Sequence, residues 1–274
     1  MDDRCGPWLL GRTIATGAVA EVRAARRADG GSDGASVGEP EPVAIKRLHP
    51  HAARDPALAA LFAAERTLTS LLPPHPALIE AIDIGGDEVG ERGGEVRPYL
   101  AMPRLDGPDL RARLAQGALE RTSWLAIIAA IAAAVAHLHG QGWVHGDLNP
   151  SNILLDFTRG AVLCDLGVAR RLGDGGPVRG TAAYMAPEQV KGEAWTGAVD
   201  VFALGVVGWE LARGARLFAR PASYLSMAAI VETDAPALAD RELTGLIAAA
   251  LARAPSARPT AFELAVALEA LVHR

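Results

Sequence analysis

Three clusters of polar residues stand where their types and spacing could do chemistry. Lys46 closes the apolar run Val43-Ala44-Ile45-Lys46. An ammonium there needs a partner or a ligand. Glu65 is a natural mate, because it shares a helical stripe with Leu58, Leu61, Phe62 and Leu68 and so turns inward. A buried carboxylate without a partner is costly; the bland alternative is a solvated glutamate at the margin of an alanine-rich helix. The second cluster lies in Trp143-Val144-His145-Gly146-Asp147-Leu148-Asn149-Pro150-Ser151-Asn152, just ahead of the apolar run Ile153-Leu154-Leu155. Asp147 and Asn152 suit a pairing in which one accepts a proton and the other ligates a hard cation. Read alone, Asp and Asn beside a proline are also turn formers. The third cluster is Val162-Leu163-Cys164-Asp165-Leu166-Gly167. A strand-end carboxylate is well placed to hold Mg²⁺, and an Asp-x-Gly turn is the other reading.

Two further features concern support. Asp200 interrupts the run Val199–Val207 and must accept hydrogen bonds if buried, most cheaply from backbone N–H groups. Glu188, after Ala186-Pro187, and Arg258, before Pro259, form a candidate internal ion pair.

The elements that must carry these groups change character near residue 103. Ahead of it the pattern predicts strands at 9–14, 18–25, 43–48, 78–84 and 99–102, with one helix over 56–72 that Pro73-Pro74 stops. Segments 29–42 and 85–97 read as Gly-rich acidic loops. Beyond residue 103 a long apolar helix is predicted from 123 to 139. Short strands follow at 153–155 and 161–164, then helices at 197–213, 222–232, 240–253 and 260–272. The expected organisation is a sheet-rich unit over 1–102, a connector at 103–105 and a helical unit over 106–274.

Composition narrows the function classes. The chain has 274 residues, half of them apolar, enough for a sizeable core. With 27 basic and 32 acidic side chains the net charge is −5, so no nucleic-acid partner is expected. Cys5 and Cys164 are too few for a disulfide scaffold, and a reducing, cytoplasmic setting is expected. The apolar run 124–136 is shorter than the roughly 20 residues of a membrane span, and the N-terminus lacks a signal pattern. No membrane association is expected. The final predicted helix runs almost to the C-terminus, so regulation is expected from a separate partner or ligand.

Taken in order, these pieces resemble the eukaryotic-like (Hanks-type) serine/threonine protein kinases of bacteria. The resemblance rests on Val43–Lys46, Glu65, His145-Gly146-Asp147 with Asn152, Asp165-Leu166-Gly167, Gly180-Thr181-Ala182-Ala183-Tyr184-Met185-Ala186-Pro187-Glu188, Asp200 and Arg258. It implies an α+β, bilobal protein-kinase fold: a small antiparallel sheet lobe with one helix, and a larger helical lobe. It also implies ATP and Mg²⁺, transfer of the γ-phosphate to Ser or Thr hydroxyls, and a protein substrate or regulatory partner. By this resemblance Lys46, oriented by Glu65, holds the α- and β-phosphates. Asn152 and Asp165 bind the metal, and Asp147 takes the proton of the attacking hydroxyl. Thr181 packs near Asp147. Ala15 and Gly17 belong to the phosphate-covering loop. Adenine lies between Val22 and Ala44 on one side and Leu154 on the other, with Cys164 lining the pocket. Met102 matches the gatekeeper, and Pro103 and Leu105 offer a carbonyl and an N–H to adenine. The helix at 222–231 is where the family docks partners. Tyr224 and Met227 on it are candidate contacts, though such residues more often belong to a core.

The chain departs from the family pattern in three places. The phosphate-covering loop reads Ala15-Thr16-Gly17-Ala18-Val19-Ala20 and keeps only the central glycine, from which weaker ATP binding is expected. Gly146 replaces the arginine that pairs with a phosphorylated activation segment, and residues 168–180 contain no Ser, Thr or Tyr. Activity independent of phosphorylation in that stretch is therefore expected. Asn149 replaces a lysine that neutralises the transferring phosphate, so a slower chemical step is expected. These departures leave two alternatives: an inactive or weak pseudokinase scaffold, and a small-molecule kinase, whose His-Gly-Asp-Leu-Asn-Pro loop is similar.

Overall fold

The computed structural model describes residues 4–28, 43–86, 97–175 and 177–273. The chain divides into two compact units, one of Met1–Pro74 and Ile79–Leu105, the other of His75–Leu78 and Asp106–Arg274. The architecture is α+β, with a small antiparallel sheet unit and a larger helical unit, as the resemblance implies.

The first unit holds strands β1 (Arg4–Cys5), β2 (Trp8–Thr16), β3 (Ala20–Arg27), β4 (Val43–Leu48), β5 (Asp83–Gly85) and β6 (Tyr99–Pro103) in the sheet order β1-β2-β3-β4-β6-β5. Two helices follow β4, the single turn α1 (Pro50–Ala53) and α2 (Pro56–Leu71). The period-2 alternation of β4 sorts the sheet into two faces. Val43 and Ile45 join Cys5, Trp8, Tyr99 and Ala101 in one apolar cluster. Leu48 belongs to the other, with Ala52, Phe62 and Leu100. Lys46 and Ala44 alternate onto the Leu48 face. Register completes the arrangement: Ala15 opposes Val22, Val22 opposes Lys46, and Ala44 opposes Met102. Ala15, Val22 and Lys46 thus lie in one row and Ala44 and Met102 in the next, on the same face, whereas Pro103 opposes Val43 on the other.

Helix α2 starts where Asp55 accepts hydrogen bonds from the N–H groups of Ala57 (2.8 Å) and Leu58 (3.3 Å), with Pro56 at the first helical position. Its buried stripe contains Phe62, Glu65 and Leu68. The strand expected at 78–84 is corrected. Leu78 makes only an isolated bridge to Leu163, and β5 starts at Asp83. The apolar run is divided between the two units, so its pattern is not that of one strand. The 29–42 loop lies outside the described residues, as do residues 87–96 of the second one.

The second unit opens with α3 (Leu110–Ala115) and α4 (Arg121–Gly140). Short strands follow: β7 (Trp143–Val144), β8 (Ile153–Asp156), β9 (Gly160–Leu163) and β10 (Arg170–Arg171). The remaining helices are α5 (Pro187–Val190), α6 (Ala198–Arg213), α7 (Ser223–Glu232), α8 (Arg241–Ala250) and α9 (Ala261–Val272). Helix α6 is buried continuously from Val199 to Leu211. Gly205 lets α8 approach it, since a Cβ there would lie 3.0 Å from the Ala250 methyl. Helix α4 has 20 residues, longer than the apolar run alone suggests, and is long and apolar enough to cross a membrane by length and composition. Half of its most apolar window is buried inside the protein, with Leu125, Ile131 and Leu138 fully so. Residues 153–156 and 160–163 form a two-stranded hairpin, Ile153 opposite Leu163 and Asp156 opposite Gly160. Strands β7 and β10 pair antiparallel, Val144 opposite Arg170 and Trp143 opposite Arg171.

Candidate active site

In the sheet unit, the inward turn of Glu65 meets its mate. Lys46 Nζ lies 2.5 Å from Glu65 Oε1, with the glutamate buried and the lysine side chain 16% exposed. The pair holds an ammonium in the cross-strand row of Val22, beside the row of Ala44 and Met102. The turn between β2 and β3 is fastened from outside. Gly17 donates its N–H to the Ala20 carbonyl (2.8 Å), and the imidazoles of His49 and His51 bond the carbonyls of Gly17 (3.0 Å) and Ala18 (3.1 Å). The two rings stack with centroids 5.6 Å apart. Sequence patterning gives no sign of these histidines, because their contacts depend on how α1 follows β4. Ala15 and Gly17 are exposed, Ala44 is buried, and Val22, Met102, Pro103 and Leu105 are half-buried. Pro103 ends β6 opposite Val43.

In the helical unit the loop after β7 is held from beneath by Asp200. Its Oδ2 accepts the N–H of His145 (2.8 Å) and its Oδ1 the N–H of Gly146 (2.8 Å). His139 Nε2 lies 2.9 Å from Oδ2. Burial opposes the charge of Asp200, but the His139 hydrogen bond, the neighbouring imidazoles and the Gly146 N–H outweigh it and hold its pKa below the ordinary carboxylate range. Next along the loop, the Asp147 N–H donates to His145 Nδ1 (3.3 Å), and His145 Nε2 lies 3.1 Å from the Cys164 carbonyl. One neutral tautomer, with the proton on Nε2, serves both contacts. His145 therefore ties the Asp147 loop to the residue preceding Asp165.

The Asp147 carboxylate is the focus of the loop. Oδ1 accepts the Thr181 N–H (2.7 Å) and an N–H of Asn149 (3.2 Å); among the described residues, Oδ2 accepts only a long contact from Asn152 Nδ2 (3.3 Å). Asn149 is buried. Its Nδ2 also donates to the Asp147 carbonyl (3.0 Å) and Thr181 Oγ1 (3.1 Å), and its Oδ1 accepts the Ser151 N–H (2.9 Å). Asn152 Nδ2 donates to the Asp147 carbonyl (2.9 Å), which leaves its Oδ1 as the acceptor for a cation. Asp165 is the sole non-glycine with positive φ among the described residues, at +66°. That left-handed turn, tolerated by aspartate, leaves Asp165 exposed while Leu166 is buried. Leu154 is half-buried on β8, and Cys164 is also half-buried, with its backbone N–H donating to the Asn152 carbonyl (2.8 Å).

The donor set suits Mg²⁺. An amide oxygen and a carboxylate are hard ligands, and a small number of protein ligands matches an ion that keeps waters and binds phosphate oxygens. Among the described residues there is no cluster of three or more His, Cys, Asp or Glu side chains that could hold a metal by itself.

The expected ion pair between Glu188 and Arg258 is present and buried. Nη1 meets Oε1 at 2.6 Å and Nη2 meets Oε2 at 2.9 Å. The neighbouring Gln189 donates to the Gly146 carbonyl (3.0 Å). Tyr184 donates to Glu210 Oε2 (2.7 Å), and burial with that carboxylate raises its pKa well above the ordinary range. Tyr224 on α7 is 70% exposed, so its bland reading as a core residue is corrected; Met227 is half-buried. A groove of about 710 Å³ beside α4 and α9, lined by alanines with Phe262 and Val266, contains none of the predicted site residues.

Residues 10–268 match the protein kinase domain family. The chain is 34% identical over 271 residues to the serine/threonine-protein kinase PkaA of Streptomyces coelicolor, covering 94% of this chain and 48% of that protein. It is 33% identical over 227 residues to PknA of Mycobacterium tuberculosis, another serine/threonine-protein kinase, covering 78% of this chain and 48% of that protein. The chain thus spans about half the length of these relatives.

Proposed function

Because the chain belongs to the protein kinase domain family, we propose that it transfers the γ-phosphate of ATP to Ser or Thr hydroxyls of a protein substrate. The observation that carries this reading is the Asp147 carboxylate, held by Thr181 and Asn149 through one oxygen while the other has, among the described residues, a single long contact. Oδ2 is thereby the oxygen placed to receive a proton. The attacking hydroxyl oxygen bonds to the γ-phosphorus as the bond to the β–γ bridging oxygen breaks. ADP leaves, and the hydroxyl proton passes to Asp147. Mg²⁺, when bound, supplies charge neutralisation of the phosphates, and Asn152 and Asp165 are the residues that would hold it. Lys46, fixed by Glu65, carries the charge for the α- and β-phosphates. Val22, Ala44, Met102, Pro103, Leu105, Leu154 and Cys164 surround adenine in this proposal. Residues 168–180 contain no hydroxyl side chain, so activity does not depend on their phosphorylation. A cytoplasmic setting belongs to the same proposal.

The second reading is a pseudokinase, favoured by alanines at positions 15 and 20 of the phosphate loop and by the uncharged Gly146 and Asn149. Labelled ATP–Mg²⁺ and generic protein substrates separate the two when Asp147→Asn is run alongside. Loss of the base lowers turnover about 10²–10⁴-fold. Equal silence of both proteins with ATP still bound establishes the pseudokinase. Transfer to a metabolite but to no protein establishes a small-molecule kinase. Mapping of an activating phosphate at Thr181 or Tyr184 overturns independence from phosphorylation in its broader form.

A further inference from the structure

Gly146 leaves no space where the family's arginine would stand. Its φ is +77°, and a Cβ there would lie 2.3 Å from the Trp195 indole carbon Cζ3. Trp195 is fully buried, so its ring fills the volume beside the Asp147 loop. The same indole carries a cation on its face: the Arg170 guanidinium carbon lies 3.5 Å from the ring centroid. Arg170 Nη1 is buried and has no hydrogen-bond partner among the described residues. A ring face at this distance is the stabilisation that such a nitrogen lacks elsewhere. Nη2 reaches the Pro177 carbonyl at 3.5 Å, and the charges of Arg179 and Asp174 act on the guanidinium. Burial, then the like charge of Arg179, lowers the pKa of Arg170.

The backbone makes the same connection. Trp195 gives its carbonyl to the Gly173 N–H (2.7 Å) and its N–H to the Asp174 carbonyl (3.2 Å). Leu172 donates to the Gly142 carbonyl (3.0 Å), and Arg170–Arg171 pair with Trp143–Val144. Every one of these contacts joins the stretch after Asp165 to Gly142 and β7, which lead into the Asp147 loop, or to Trp195, and none needs a phosphate.

We propose that Trp195 and Arg170 are positioning residues, a phosphate-free latch that holds residues 170–174 against the Asp147 loop and fits only because residue 146 is glycine. The effect on turnover rests on the kinase reading; the latch itself does not. The proposal predicts a specific order of sensitivity. Removing the cation weakens the latch without opening a cavity, whereas removing the ring does both.

Hydrogen exchange by mass spectrometry on the full chain, with steady-state kinetics, tests this. Arg170→Leu speeds exchange of the Leu172 and Gly173 amides about 10–30-fold, the effect of losing a desolvated cation–π contact. Turnover falls in similar proportion while KM for ATP stays within about twofold, a split that a general loss of structure does not give. Arg170→Lys recovers part of both, and Trp195→Phe recovers more than Trp195→Leu. Unchanged exchange in Arg170→Leu overturns the latch, even if Trp195 variants fail to fold. Faster exchange with turnover intact overturns its positioning role. A wild-type chain that transfers no phosphate overturns the kinase reading alone, because exchange still reports the latch.

Discussion

Arg258→Gln is the perturbation whose cost the structure sets most directly. The guanidinium has five N–H groups, and each finds an acceptor: Nε to the Ala252 carbonyl (2.7 Å), Nη1 to Glu188 Oε1 and the Ala198 carbonyl (2.8 Å), Nη2 to Glu188 Oε2 and the Arg253 carbonyl (3.2 Å). The Arg258 side chain is 0% exposed and that of Glu188 3%. Its charge also lies 4.9 Å from the centroid of the Phe202 ring. Glutamine removes the charge and most of the donors, leaving a buried carboxylate without its counter-ion. Breaking a buried pair from one side costs about 3–5 kcal/mol. For a domain of this size that lowers Tm by about 6–20 °C. The assay is thermal unfolding followed by circular dichroism, with Glu188→Gln and the double variant completing a cycle. The double variant should be more stable than the sum of the single losses predicts, because it leaves no unpaired charge. A Tm for Arg258→Gln within about 2 °C of wild type, or strict additivity in the cycle, would refute the reasoning.

Two further outcomes follow from the helical unit. Asp200 has a depressed pKa in the folded state, so its contribution to stability is complete above the unfolded-state value of about 3.9 and disappears as pH falls through the lower folded value. Urea titrations between pH 2 and 7 should show Asp200→Asn losing this acid-side slope and costing about 1–3 kcal/mol near neutrality, since an amide NH₂ then faces a backbone N–H; an unchanged slope contradicts the assignment. Asn149→Lys restores a charge common in the family but removes the acceptor of the Ser151 N–H and replaces the amide that bridges Asp147 and Thr181 with a longer, acceptor-free side chain. It should destabilise the chain by about 1–2 kcal/mol in urea unfolding, and equal stability would show that these bonds contribute nothing.

What could be read from sequence depended on whether a residue's partner was implied by local pattern. Glu65 was legible because a carboxylate on an apolar helical stripe demands a cation, and Lys46 closes an apolar strand. Asp200 was legible by the same rule, since burial leaves backbone N–H groups as its cheapest partners. Nothing local links Glu188 with Arg258, so their pairing is carried by the folded chain and not by the sequence pattern. Helix α3 escaped because six residues are too few for a 3.6-residue period to show. The clamp of His49 and His51 on the carbonyls of Gly17 and Ala18 could not be read at all. Those contacts join the β2–β3 turn to the start of α1, whose meeting is decided by the sheet.

The departures from the family pattern show why motif comparison misjudges this chain. Compared position by position, Gly146 and Asn149 are losses, each a missing cation. In the folded chain neither leaves a gap. The volume and the positive φ at position 146 are matched to a buried indole, and that indole carries a guanidinium from the stretch after Asp165. The Asn149 amide meets one N–H and three oxygens that a lysine side chain could not satisfy together. The glycine beside Asp147 is informative only once the residue that fills its space is known, and that residue, Trp195, lies far along the chain. Substitutions at such positions are coupled, so restoring a single family residue here removes an interaction before it adds one.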